Sequence, residues 1–134
     1  MLQLTYISTA ARDVDEQAVD AILASARRNN AAEGVTGLLL YDGKRFLQAL
    51  EGDAERVNRI YNRIKADPRH RGLVLLSSTE TDTRAFGDWS MAAQRVGVAR
   101  GLSVVEQVQE LTSDVADANI RELFRGFAKV RAAA

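Results

Sequence analysis

Residues 35–51 read VTGLLLYDGKRFLQALE, two apolar runs joined by Asp42-Gly43. An Asp-Gly pair between such runs is among the strongest short-range signals for a β-hairpin with a two-residue turn. That turn pairs residues whose numbers sum to 85, setting Val35, Gly37, Leu39 and Tyr41 against Leu50, Gln48, Phe46 and Lys44. The other face carries Thr36, Leu38 and Leu40 with Ala49, Leu47 and Arg45. Both faces are largely apolar, so the hairpin is expected to be covered on both sides.

Upstream, residues 2–8 alternate, with Leu2, Leu4 and Tyr6 on one side and Gln3, Thr5 and Ile7 on the other, the period of a strand. Asp13 or Asp15 can cap the helix that follows, whose apolar stripe is Ala18, Val19, Ile22, Leu23 and Ala26, and Gly34 marks its exit. Downstream, Val57, Ile60, Tyr61 and Ile64 give a second helix over residues 54–66, which Asp67-Pro68 ends. Residues 73–77 read as a strand and residues 89–98 as a weaker one. The tail offers a helix with the stripe Ile120, Leu123, Phe124, Phe127 and Val130. The order β-α-β-β-α-β-β predicts an α+β, ferredoxin-like five-stranded sheet. Two helices cover one face, and the C-terminal helical segment covers the other or forms a dimer surface.

Composition limits the chemistry. A chain of 134 residues with a single proline and no internal repeat reads as one domain. Eighteen basic and eighteen acidic residues argue against a basic nucleic-acid binder and against an acidic disordered chain. No cysteine and one histidine, His70, leave no thiolate nucleophile, no disulfide and no zinc site built on several imidazoles. The apolar runs fall far short of the ~20 residues that span a bilayer, and the N-terminus lacks a secretory pattern. The expectation is a soluble, cytoplasmic protein without membrane or nucleic-acid partners.

The residues that carry chemistry converge between sheet and helices. The first strand of a ferredoxin-like sheet lies beside the second strand of the central hairpin, so Tyr6 and Gln48 become neighbours in an apolar layer. Gln48 and Tyr6 either satisfy one another or present an amide and a phenol to a ligand. Continuing the first helix stripe by four residues reaches Asn30, with Asn29 beside it; these are C-terminal capping residues or further ligand contacts. Residues 56–71 hold six basic side chains against one acid. Arg56, Arg59 and Arg63 on one helical side form a solvated face or meet a phosphate-bearing ligand. Eight aromatics without an outward-facing pair on the sheet argue against RNA, and no glycine-rich phosphate loop occurs. Trp89 and Met91 sit together in Asp88-Trp89-Ser90-Met91, where core packing is the ordinary role of either.

These spaced motifs resemble the BLUF photosensor family: Tyr6 with Ser8; Asn29-Asn30 before residues 34–39; Tyr41-Asp42-Gly43 before residues 46–52; residues 67–70; and Phe86 with residues 88–91. The resemblance covers residues 2–98. It implies a domain over residues 1–98 and a helical extension over residues 99–134 that packs on the sheet or mediates oligomerisation. It also implies a non-enzymatic blue-light receptor that holds FAD, FMN or riboflavin without a covalent bond. By the resemblance Tyr6 donates an electron and a proton, and Gln48 switches hydrogen bonds. Asn30 and Asn29 hold the ring edge; Arg63, Asp67, Arg69 and His70 line the outer end; Trp89 and Met91 relay the change. Partners implied are a second copy of the chain and a downstream protein. Ala85 and Gly87 flank Phe86 where the family carries bulkier residues. The alternatives are an acyl-phosphate hydrolase on the same fold, which wants an arginine-bearing glycine-rich turn where residues 8–13 stand, and a ferredoxin-like ligand or protein-interaction module without photochemistry.

Overall fold

A computed structural model describes residues 1–87, 92–95, 104–113, 115 and 117–133. The elements are β1 (Leu2–Ala10), α1 (Glu16–Ala32), β2 (Thr36–Tyr41), β3 (Arg45–Gly52), α2 (Ala54–Lys65), β4 (His70–Glu80), β5 (Ala92–Arg95), α3 (Val104–Thr112) and α4 (Ala118–Ala133). The strand order is β4-β1-β3-β2-β5. Four strands make an antiparallel body in the order β4-β1-β3-β2, and the short β5 runs parallel along β2. The fold is therefore α+β, with its helices interleaved among the strands and following them.

Local chemistry sets the helix ends. Asp15, rather than Asp13, caps α1 and accepts a hydrogen bond from Ala18 N at 2.8 Å. Asp53 does the same for α2 through Arg56 N at 3.4 Å. Each carboxylate satisfies a backbone donor that the first turn leaves without a partner. Gly34 follows α1 at φ 67°, a left-handed conformation that suits glycine at a helix exit.

The hairpin corrects the sequence expectation. Its register pairs Thr36 with Glu51, Leu39 with Gln48 and Tyr41 with Phe46, so that paired residue numbers sum to 87 rather than 85. Gly37 lies opposite Leu50, not opposite Gln48. The cause is the Asp42 side chain, whose Oδ1 accepts from Lys44 N at 3.0 Å and from Arg45 N at 2.7 Å. These bonds draw Lys44 and Arg45 into the turn, a side-chain turn displacing the tighter backbone turn. A slip of two residues preserves which face each side chain occupies, because side chains alternate with period two. The faces are therefore as expected although the pairs are not.

Two cores result. Leu4, Leu39, Tyr41, Phe46 and Leu50 pack with Val19, Ile22 and Leu23 of α1 and Val57 and Ile60 of α2. On the opposite face Leu38, Leu40, Leu47 and Ala49 pack with Val108 of α3, Val115, and Ile120, Phe124, Phe127 and Ala128 of α4. Leu123 is only partly buried, and nothing is described of the Val130 side chain.

At the rim, β4 is longer than the residues 73–77 expected, because its ladder to β1 runs from His70 to Glu80. That ladder is irregular, with register shifts between Thr5 and Tyr6 and between Ile7 and Thr9. Val74, Leu75 and Leu76 stay exposed. β5 covers four of the ten residues expected; Trp89, Met91 and residues 96–98 lie outside the described residues.

Candidate functional site

Tyr6 on β1 and Gln48 on β3 are directly opposed partners in the antiparallel ladder. Both are fully buried, and the Tyr6 hydroxyl donates to Gln48 Oε1 at 2.5 Å. They form the floor of a cleft between α1 and α2 with about 510 Å³ of empty space, counted out to the solvent at its mouth. Ile22, Ala26, Leu39, Ile60 and Ile64 give it apolar walls; Ser25, Asn29, Asn30, Arg63, Arg69 and His70 supply its polar lining.

Asn30 does not cap its helix. α1 continues to Ala32 with Glu33 as its cap, and the Asn30 side chain is buried inside the last turns. Its Nδ2 donates back to Ala26 O at 2.6 Å, while its Oδ1 has no hydrogen-bond partner among the described residues. A buried amide oxygen without a donor is costly, about 1–3 kcal/mol, and its presence in the lining of an apolar cleft points to a ligand N–H.

The outer end of the cleft is organised by the turn after α2. Arg69 donates through Nε to both Asp67 oxygens at 3.0 Å and through a terminal nitrogen to Oδ2 at 2.6 Å. Asp67 is not itself in the cleft lining; it holds Arg69 there. His70 Nδ1 lies 2.8 Å from Ser8 Oγ, and its ring packs 4.8 Å from that of Phe46 and 6.3 Å from that of Tyr6. Neither the Ser8–His70 link nor the place of Ser25 in the lining is legible in the sequence. The link joins residues 62 positions apart, and Ser25 has the appearance of any polar helix residue. Trp89 and Met91 lie outside the described residues.

The electrostatics follow from this packing. Burial, reinforced by neighbouring Tyr61 and Asp67, pushes the Tyr6 phenol far above its ordinary range, so it stays protonated. The hydrogen bond from Arg69 lowers Asp67 despite partial burial. Burial lowers His70; Asp67 opposes that shift and Arg69 adds to it. The folded protein thus holds a proton on His70 less readily than the unfolded chain. Stability contributed by neutral His70 is present above the unfolded imidazole range near 6.5 and is lost as pH falls through it towards the lower folded value. We expect the urea midpoint to drop between about pH 7.5 and about pH 5.5, and to drop less in His70→Gln. Equal drops in both proteins would show that the sensitivity lies elsewhere.

A phenol hydrogen-bonded to an amide, a second amide with an open acceptor and cations at the mouth define a site for a flat, apolar ligand with a hydrogen-bonding edge and an anionic tail. The model of the BLUF family, "Sensors of blue-light using FAD", matches residues 1–92, and the chain belongs to that family. Among its relatives, the Escherichia coli (strain K12) "Blue light- and temperature-regulated antirepressor BluF" is 38% identical over 88 residues, 66% of this chain and 22% of that protein. "Photoactivated adenylate cyclase subunit beta" of Euglena longa is 36% identical over 91 residues, 67% of this chain and 11% of that protein. This chain therefore matches only a small part of such curated relatives. Of solved structures, "BlrB - a BLUF protein, dark state structure" superposes with a TM-score of 0.72 at 28% identity over 96% of both chains. "Klebsiella pneumoniae BlrP1 with FMN and cyclic diGMP" superposes with a TM-score of 0.81 at 29% identity over 96% of this chain and 35% of that one. Among the described residues no helix is long and apolar enough to cross a membrane, and no cluster of potential metal ligands occurs.

Proposed function

We propose that the cleft between α1 and α2 holds the flavin of this blue-light sensor, and that Tyr6 and Gln48 convert absorption of light into a rearranged hydrogen-bond network. The observation that carries the reading is the buried Asn30 Oδ1, without a hydrogen-bond partner among the described residues, on a side chain that lines a cleft whose floor is the Tyr6–Gln48 hydrogen bond. A bound flavin supplies the blue-light absorption and accepts an electron when excited.

The chain's own residues do the rest. Tyr6 is the electron donor. Because it is a neutral phenol, losing an electron makes its hydroxyl strongly acidic, and Gln48 Oε1 stands 2.5 Å away to accept the proton while its Nε2 would release one to the ring that took the electron, leaving the amide uncharged. Gln48 can then rotate or tautomerise, exchanging donor for acceptor without burying a charge. Asn30, with Asn29 beside it, holds the ring edge. Arg63, Arg69 and His70 surround the tail of the ligand, with Asp67 orienting Arg69. Trp89 and Met91 belong to the segment that passes the change on. Residues 1–98 make the flavin-binding domain and residues 99–134 a helical extension that packs on the sheet or mediates oligomerisation. The chain acts without catalysis of its own, in the cytoplasm, through a second copy and a downstream protein.

The cofactor of this reading is FAD, and FMN and riboflavin are accommodated as well. Arg59 pairs with Glu33 at 3.1 Å and Glu55 at 3.6 Å, and Arg69 with Asp67 at 2.6 Å, so two of the candidate phosphate ligands already have carboxylate partners. Exposed ion pairs contribute about 0–1 kcal/mol each, so the three flavins should bind within about tenfold of one another. The decisive test is the spectrum of the purified protein: yellow as isolated or after adding FAD, shifting to the red in blue light and recovering in darkness. A sample that stays colourless with added FAD refutes the reading, and rejection of riboflavin alone refutes the ranking of ring over phosphate.

A further inference from the structure

The connection from β4 to β5 is fastened to the sheet by one buried carboxylate. Glu51, on β3, is completely buried. Its Oε1 accepts from Thr36 Oγ1 at 2.8 Å and from Phe86 N at 2.9 Å; its Oε2 accepts from Ala85 N at 2.8 Å and from Gln3 Nε2 at 3.3 Å. Arg84 closes the cluster from outside, donating to Thr36 Oγ1 at 2.7 Å, to the Glu51 carbonyl at 3.3 Å and to Gly34 O at 3.1 Å. Four donors converging on two oxygens require a group that only accepts. A glutamine at this position would turn its NH₂ towards a backbone N–H, that of Phe86 or that of Ala85.

The clamp faces the output side. Glu51 shares the parity of Leu47 and Ala49, whereas Gln48, three residues earlier on the same strand, faces the cleft. The residues that Glu51 holds, Ala85 and Phe86, pack in the core shared with Val108, Ile120 and Phe124. Beyond residues 88–91 the chain is tied to a different element: Arg27 of α1 donates to Ala93 O, and Arg95 pairs with Glu16 and Asp20 of α1.

We infer that Glu51 is the positioning residue that locks the 84–87 connection to β3 and so sets how α3 and α4 dock. A displacement of β3 at Gln48 then reaches the tail helices through this carboxylate. The light-dependent half of the inference rests on the reading of the cleft as a flavin site; the clamp does not.

Hydrogen exchange on the full chain, with and without FAD, in darkness and under blue light, tests both halves. In the dark parent the Ala85 and Phe86 amides should exchange at least about tenfold more slowly than that of Thr83. Glu51→Gln should speed exchange at Ala85, Phe86 and α4 by about tenfold while Tyr6 and Gln48 keep the parent rates. With FAD bound, the variant should keep the red shift and lose more than about half of any light-minus-dark change in α4 exchange. Unchanged protection at Ala85 and Phe86 overturns the clamp. So does an equal rise across β1 and β3, the mark of a merely structural residue, and an undiminished light response in α4 overturns the coupling. If Glu51→Gln does not fold, Arg84→Gln removes the outer donor alone; exchange at Ala85 and Phe86 should rise, and parent rates there overturn the clamp. A parent with no red shift sinks the flavin reading, and the dark exchange pattern still judges the clamp.

Discussion

A Gln48→Leu protein is expected to bind flavin and to show no normal red shift in blue light. Leucine has nearly the size of glutamine, so the cleft floor keeps its shape and the apolar walls of Ile22, Leu39, Ile60 and Ile64 still enclose the ring. What disappears is the acceptor 2.5 Å from the Tyr6 hydroxyl and the only amide on the cleft floor able to trade partners with it among the described residues. The Tyr6 hydroxyl is buried, so losing its partner should also cost about 1–3 kcal/mol of stability. Light-minus-dark absorption and a urea midpoint on the same preparation measure both effects. A normal red shift in this variant would remove Gln48 from the mechanism, whatever its stability.

Phe124→Ala should produce the reverse pattern. Phe124 is fully buried in the core beneath α3 and α4, and truncating a buried phenylalanine costs about 3–5 kcal/mol. The loss falls on the tail face, whereas the cleft core of Leu4, Val19, Ile22, Val57 and Ile60 contains no residue of that cluster. Tail amides should therefore lose exchange protection while the flavin spectrum and its red shift persist. A tail as protected as the parent's would show that other contacts hold α4 to the sheet. Loss of the red shift would show that the two faces are not separable.

Much of this organisation is legible in the residues, for identifiable reasons. The neighbourhood of Tyr6 and Gln48 follows from two period-two patterns and one antiparallel pairing, and side-chain parity survives even the wrong hairpin register. Asn30 lies on the helix stripe, which puts it between the helices, although the stripe does not show that the helix body continues past it. The turn departs from expectation because Asp-Gly predicts a backbone geometry, whereas here the carboxylate of Asp42 recruits Lys44 and Arg45 into the loop. The Ser8–His70 contact and the Glu51 clamp join residues 62 and up to 48 positions apart, and no local periodicity announces such pairs. The length of β4 is hidden for another reason. Its exposed Val74, Leu75 and Leu76 break the alternation that marks a half-buried strand, and its ladder to β1 is what defines it.

The two register shifts between β1 and β4 have a consequence for how the molecule behaves among its own copies. An eleven-residue strand at the end of the sheet, carrying bare valine and leucines, is the kind of border that invites strand-by-strand growth into aggregates. Irregular pairing bends and twists such a border out of the flat geometry a neighbour would need. Protection of this edge against pairing therefore falls to the defects of the β1–β4 ladder rather than to charge, since residues 72–79 contain no charged side chain at all. A variant that regularised this ladder in the name of stability would offer neighbouring copies a flatter edge to pair with.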